Sequence, residues 1–223
     1  GYHSVGIVLI DAPDVSQLDD AAKLQVNGAV KSIQKLQTDP PAEQTAKKTA
    51  ALYAQAGQVF QSYEGVDLAI ACYENSLTYQ NDGDVLHLLG RAYRETDQME
   101  LAADAFNDRA AMPYVVASLY WSGDSYIELD KLTTARERFQ RGIERTNGRQ
   151  PIFYLGLGKT YMEEDPVKAI EYLSRAEGML PGKKNILYLL MTAHRKIGEV
   201  ERAKQYQEQF EQSVERLLSV DPL

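Results

Sequence analysis

The sequence predicts an all-α chain, a helical-repeat solenoid of about five helix–turn–helix units with flanking capping helices. One set of residue types returns five times at a spacing near 33 residues, the strongest regularity in the chain. Proline stands at 13, 40, 41, 113, 151, 166, 181 and 222, each where helical periodicity lapses or restarts. Interior proline breaks a helix, so these positions mark joints between short helices. Apart from the apolar run Val5 to Ile10, no stretch shows the strict alternation of a half-buried strand.

Residues 1–15 read as an extended apolar arm, and 16–46 as a capping helix with its linker. Within "SQLDDAAKLQVNGAVKSIQKLQ", the residues Leu18, Ala22, Val26, Ala29, Ile33 and Leu36 share one stripe, the mark of an amphipathic helix. Ser16, three residues before Asp19, is the expected cap. The helix is expected to pack on the first repeat.

The array occupies 47–219, with units starting near 50, 83, 116, 151 and 184, and 220–223 form a tail. In the first unit Tyr53, Ala56, Gly57 and Phe60 lie on one helix face, followed by Ala69, Tyr73 and Ser76 on the next helix. The second repeats this with Leu86, Leu89, Gly90 and Tyr93, then Ala102, Phe106 and Arg109. The third has Leu119, Ser122, Gly123 and Tyr126, then Ala135, Phe139 and Gly142. The fourth has Tyr154, Leu157, Gly158 and Tyr161, then Ala169, Leu173, Ala176 and Pro181, with one residue fewer between its helices. The fifth keeps Leu187, Leu190 and Ala203 but has Met191 at the small position, His194 at the aromatic one, and Gln207 where an aromatic is expected, with Tyr206 one place early.

The pattern resembles the tetratricopeptide repeat: large, large, small and aromatic on a first helix, small, aromatic and small on a second, often with a closing proline. The resemblance covers residues 50 to about 216 and implies a right-handed superhelix whose first helices line a concave, protein-binding surface. The apolar arm, "DAPDVSQLD" and a leading helix before the repeats also look like bacterial tetratricopeptide proteins of the cell envelope, which implies a periplasmic or membrane-tethered position.

Recurrent glycine in a helix costs about 1 kcal/mol relative to alanine, so Gly57, Gly90, Gly123 and Gly158 imply that paired helix backbones approach too closely for a side chain. Phe60, Tyr93, Tyr126 and Tyr161 are expected to fill the space between one pair and the next. At the far end "AKQYQEQFEQSVERLL" extends a stripe through Tyr206, Phe210, Val214, Leu217 and Leu218, long enough to cap the array or to dock a second copy.

Thirty-two acidic against 24 basic residues give a net charge of −8, which disfavours nucleic acid and anionic membrane surfaces as partners. The six-residue apolar run is far shorter than the ~20 residues of a spanning helix, so no direct membrane insertion is expected. Cys72 is alone, which excludes an internal disulfide and a multi-thiolate metal site, and its expected place is the core.

"FYLGLGKTYM" holds the Gly158-Lys159-Thr160 that ends a phosphate-binding loop, but Phe153 stands where the loop's first glycine is required. Tyr154, Leu157, Gly158 and Tyr161 instead keep helical spacing, so Lys159 is placed within a helix and pointing away from the packing contact. His3, His87 and His194 form no metal or haem motif, and no nucleophile elbow is present; no catalytic residue, metal ligand or cofactor is assigned. His194 reads as a core residue and His87 as a side chain on the inner face. Asp19-Asp20 and Glu163-Glu164 read as solvated helix ends.

Removing the packing positions leaves Gln58, Gln61, His87, Arg91, Arg94, Tyr120, Trp121, Asp124, Lys159, Tyr188, Thr192 and Arg195 as candidate partner-binding side chains of the concave face. Arg91 and Arg94 can present a fork to a carboxylate, and Tyr120 with Trp121 a rigid apolar surface. Gln58, Arg91 and Asp124 stand where the family's carboxylate clamp has asparagines, so a chaperone-tail receptor is not expected. The functional expectation is a non-enzymatic scaffold that binds a peptide or protein segment. The alternative is a structural subunit that self-associates through its terminal helices.

Overall fold

The computed structural model describes residues 14, 16, 18–38, 46–109 and 116–218. Of the arm at 1–15 all but residue 14 lies outside them, as does the tail at 220–223. Every regular element among the described residues is an α-helix. The chain divides into two compact units, one ending at Pro113 and one beginning at Tyr114.

The first unit contains α1 (Asp20–Thr38), α2 (Ala46–Ser62), α3 (Val66–Tyr79), α4 (Gly83–Glu95) and α5 (Met99–Arg109). Helix α1 packs on α2, and α2/α3 and α4/α5 form antiparallel pairs joined through α3 and α4. On α1 the buried residues are Ala22, Val26, Val30 and Ile33, with Ala29 and Leu36 half-buried. The cap differs from expectation. Asp19 stands before the first helical residue and its carboxylate accepts from the Ala22 amide at 2.8 Å, whereas the Ser16 amide turns back to Asp14. A carboxylate serves this position as well as a hydroxyl does and also opposes the positive helix end.

The second unit contains α6 (Val116–Glu128), α7 (Leu132–Arg145), α8 (Pro151–Tyr161), α9 (Pro166–Met179), α10 (Lys184–Lys196) and α11 (Val200–Leu218). These are three antiparallel pairs, α6/α7, α8/α9 and α10/α11, each packed on the next. Pro151 and Pro166 occupy first-turn positions, where a missing amide does no harm.

Most packing positions read from the repeat are buried, including Tyr53, Phe60, Tyr73, Leu89, Tyr93, Phe106, Leu119, Phe139, Leu157, Leu173 and Leu190, but Tyr126 and Tyr161, expected to fill the space between pairs, are only half-buried and Pro181 is exposed. The glycines do not sit against backbone as expected. A Cβ on Gly57, Gly90 or Gly123 would meet the ring of Tyr73, Phe106 or Phe139 at 2.6, 2.8 and 2.6 Å, and one on Gly158 would meet Leu173 at 2.5 Å. Each small residue on a first helix is therefore a seat for a large side chain on the second. The fifth unit departs from this at both positions together: Met191 is buried, and Gln207 is half-buried rather than seated as a ring. His194 is 2% exposed, stacks on Tyr206 at 5.4 Å, and its Nδ1 lies 2.8 Å from Glu199. Tyr206, one place early, thus stacks on the residue that replaced an aromatic.

The joint within each unit follows the same logic. Glu64, Asp97, Asp130 and Gly198 adopt positive φ between 55° and 79°, and the next amide closes a six-residue bond, such as Gln98 to Tyr93 at 2.8 Å. This is a Schellman-type stop. The fourth unit, one residue shorter, has no positive-φ residue at this joint; Asp165 caps α9 instead, accepting from Lys168 at 3.0 Å. Cys72 is fully buried and its thiol is pushed up to about 12 by that burial.

Candidate binding surface

In the first unit the exposed row of α2 carries Ala51, Gln55 and Gln58, and that of α4 carries Asp84 and Arg91. A shallow cleft of about 270 Å³ lies between the two helices, with alanines 50, 51 and 54 as floor and Gln55, Gln58 and Asp84 on its rim. Gln61 bridges the helices beyond it, accepting from the Tyr73 hydroxyl at 3.0 Å and donating to Glu95 at 2.9 Å. His87 is half-buried with its ring edge-on to Phe106 at 5.5 Å. Arg94 is half-buried. Burial holds the Tyr73 phenol well above its usual range, partly opposed by the charge of Arg91. The sequence reading passed over Gln55 and Asp84. Asp84 lies seven residues before Arg91, two helical turns back on the same face, so its position was legible.

In the second unit the equivalent row is engaged internally. Lys159 on α8 donates to Asp124 on α6 at 3.0 Å and to the Tyr120 hydroxyl at 3.4 Å. Asp124 is 7% exposed and Tyr120 is 9% exposed, with Tyr120 edge-on to Trp121 at 5.3 Å. Trp121 is half-buried. Burial pulls the Lys159 amine down, but the Asp124 carboxylate and Tyr120 together outweigh it and raise it above its ordinary value. Lys159 thus points away from the Gly158 contact, and Asp124 faces Lys159 rather than solvent.

On α10, Tyr188 is 51% exposed and lies 6.1 Å from the Phe210 ring. Thr192 is half-buried and donates back to the Tyr188 carbonyl, and exposed Arg195 donates to Gln207 at 2.7 Å. Glu163 and Glu164 are exposed, as their reading as solvated ends expects, and pair with Lys196 and Arg136 respectively. A second cleft, about 580 Å³, opens between α7 and α9 beside Tyr161 and Tyr172. Its aromatic wall is already occupied, because Arg136 lies 4.0 Å from the Tyr161 ring and also donates to the Thr160 carbonyl.

Among the described residues no group of His, Cys, Asp and Glu could hold a metal ion, and no helix is long and apolar enough to cross a membrane.

Residues 117–145, which span α6 and α7, match the tetratricopeptide-repeat family model. That unit, α6 with α7, is a tetratricopeptide repeat. Solved structures with the same fold include MamA, with a TM-score of 0.67 at 21% identity over 79% of this chain and 97% of that one. BtubC from P. vanneervenii gives 0.69 at 16% identity over 92% and 95%. YrrB, described as a tetratricopeptide protein with an unusual peptide-binding site, gives 0.61 at 17% identity over 83% and 93%. No curated protein sequence matches the chain. At these identities the likeness establishes the tetratricopeptide fold, all-α helix pairs in series, and nothing finer.

Proposed function

We propose that this chain is a non-enzymatic interaction scaffold that binds a peptide or protein segment along its first-helix faces and so helps to organise a multiprotein assembly. The observation that carries this reading is the α2/α4 face, where polar and charged side chains stand exposed over a floor of alanines while the packing positions around them are closed. Rigid helices hold those side chains at regular intervals, which suits recognition of an ordered segment at low entropic cost. Gln58, Arg91, Tyr188 and Arg195 are the exposed members of the candidate set, and they are the side chains assigned to partner contact. Gln61, His87, Arg94, Trp121, Lys159 and Thr192 are half-buried, and Tyr120 and Asp124 are buried. Catalysis is not part of this reading. A periplasmic or envelope position remains the expectation drawn from the family likeness.

The experiment is affinity capture from a native extract with the parent chain and the Arg91→Glu/Arg94→Glu variant, read by mass spectrometry. Proteins retained by the parent and lost by the variant support the first-helix reading; identical captured sets overturn it. A second reading, self-association through the terminal helices, is favoured by the length of α11, 19 residues against 11–14 for α3, α5, α7 and α9. It is tested by the oligomeric state of a chain ending at Phe210.

A further inference from the structure

The cleft between α2 and α4 lies where the first unit carries small residues and the second carries rings. Its apolar lining is Ala50, Ala51 and Ala54 of α2 with Val85 and Leu88 of α4. In the repeat register Ala54 corresponds to Tyr120 of α6, and Val85 to Phe153 of α8. Both rings are buried. Tyr120 lies 6.0 Å from the Phe139 ring, and Phe153 is seated on Gly142, whose place in the first unit is taken by Ser76. Leu88, in the place of Gly156, takes back only part of the difference, because the cleft persists beside it. Successive units of an array repeat one packing geometry, so the volume that rings fill between α6 and α8 stays open between α2 and α4.

At about 270 Å³ the cleft is below the range of whole small-molecule sites, about 300–1,000 Å³. A second copy of this chain would need about 1,000 Å² of buried surface for stable pairing, far more than so small a cleft presents. It fits one large side chain, and the array's own filler at this place is a ring. We propose that the α2/α4 cleft takes a single aromatic side chain, presented by a partner segment that runs over Gln55 and Gln58. The ring lies against the alanines, Val85 and Leu88, while the segment's backbone meets the two exposed glutamines, whose amides both donate and accept. Rings seated in preformed pockets are enriched among binding hot spots, because they bury a large area at little cost in side-chain freedom. This rests on the first-helix reading above and names its anchor.

The test titrates the full chain with peptides Gly-Ser-Xaa-Ser-Gly, blocked at both ends, Xaa being Tyr, Leu or Ala, followed by ligand-observed NMR. The parent is expected to hold the tyrosine peptide about tenfold more tightly than the alanine peptide and about threefold more tightly than the leucine peptide. Ala54→Tyr puts the second unit's residue into the first and closes the cleft from within, so the three peptides are then expected to bind equally weakly. If that variant loses the parent's helical circular dichroism, Ala51→Leu, at an exposed position of the same wall, serves instead and is expected to cut the tyrosine preference about threefold. No binding or no preference in the parent, a leucine peptide held as tightly as the tyrosine one, or a tyrosine preference unchanged in the folded variants overturns the proposal. So does a preference that appears only when the apolar arm is broken by Ile7→Asp/Leu9→Asp, which makes the arm the occupant, or self-association of the parent that Ala54→Tyr abolishes, which makes it a second copy. Loss of capture in Arg91→Glu/Arg94→Glu alongside a flat peptide preference sinks the anchor and leaves the first-helix reading standing.

Discussion

The inner rows of α2/α4 and of α6/α8 occupy the same positions in the repeat and have opposite fates. In the first unit Gln58 and Arg91 stay exposed over a shallow cleft. In the second, Tyr120 and Asp124 are buried and joined to Lys159 on the next first helix. Register in a repeat thus places a side chain at an address without deciding whether it meets solvent or a neighbouring helix. A groove position held by a complementary pair from two successive units becomes part of the array's stability.

The largest effect expected from this contrast is at Lys159. Replacing it with Met takes the ammonium away from the buried Asp124 carboxylate, a change that costs about 3–5 kcal/mol for a fully buried pair; with the lysine side chain 33% exposed, solvent screening reduces the expected loss to about 2 kcal/mol. A shift of the urea midpoint at constant slope measures it. Arg91→Met should change stability by less than about 0.5 kcal/mol, as surface substitutions do. Equal losses at the two positions would erase the distinction between the rows.

The glycine seats are common to both units and set a baseline. In Gly57→Ala and Gly123→Ala the new Cβ lies 2.6 Å from the Tyr73 or Phe139 ring, so the ring must move. Overpacking of about 1–3 kcal/mol against a helix gain of about 1 kcal/mol leaves a net loss near 1 kcal/mol at each, measured in the same denaturation series. A gain in stability at either site would show that the ring is not held on the glycine.

The pair should also leave a signature in alkali. The folded-state value of Lys159 is raised above its ordinary 10.5, so its charge-linked stability is fully present below that pH and is lost as pH rises through the higher folded value. The stability gap between the parent and Lys159→Met is therefore expected to be constant at neutral pH and to narrow in the alkaline range. A gap that widens there would assign the wrong sign to the interaction.

The smallest effect is kinetic. Cys72, fully buried with its thiol pushed up to about 12, should react with a disulfide reagent at pH 8 only as the first unit opens. Arg91→Met should leave that rate alone and Gly57→Ala should raise it.

The Gly158-Lys159-Thr160 stretch shows how far pattern carries. Helical spacing was enough to place Lys159 in α8 and to reject a phosphate loop. Nothing in the pattern marked Asp124 as its partner, 35 residues away, because the pairing depends on the packing of α6 against α8. Likewise Asp19 and Ser16 are both good caps, and only the chain's course before α1 chose between them. The α2/α4 cleft was half legible: Gln58 and Arg91 were read from register and Asp84 could have been, whereas Gln55 appeared only once two helices were set side by side.

What the sequence determined by itself was the periodic part of the molecule. Glycine, alanine and ring positions recur because every helix pair must solve the same local packing problem, and a constraint repeated along a chain is visible in one dimension. The missing residue in the fourth unit and the paired change of Met191 and Gln207 in the fifth belong to the same record. What only the tertiary structure decided was that the glycines seat large side chains rather than backbone, and which inner side chains remain exposed. Those outcomes depend on approach distances and on charge pairs between helices far apart in sequence.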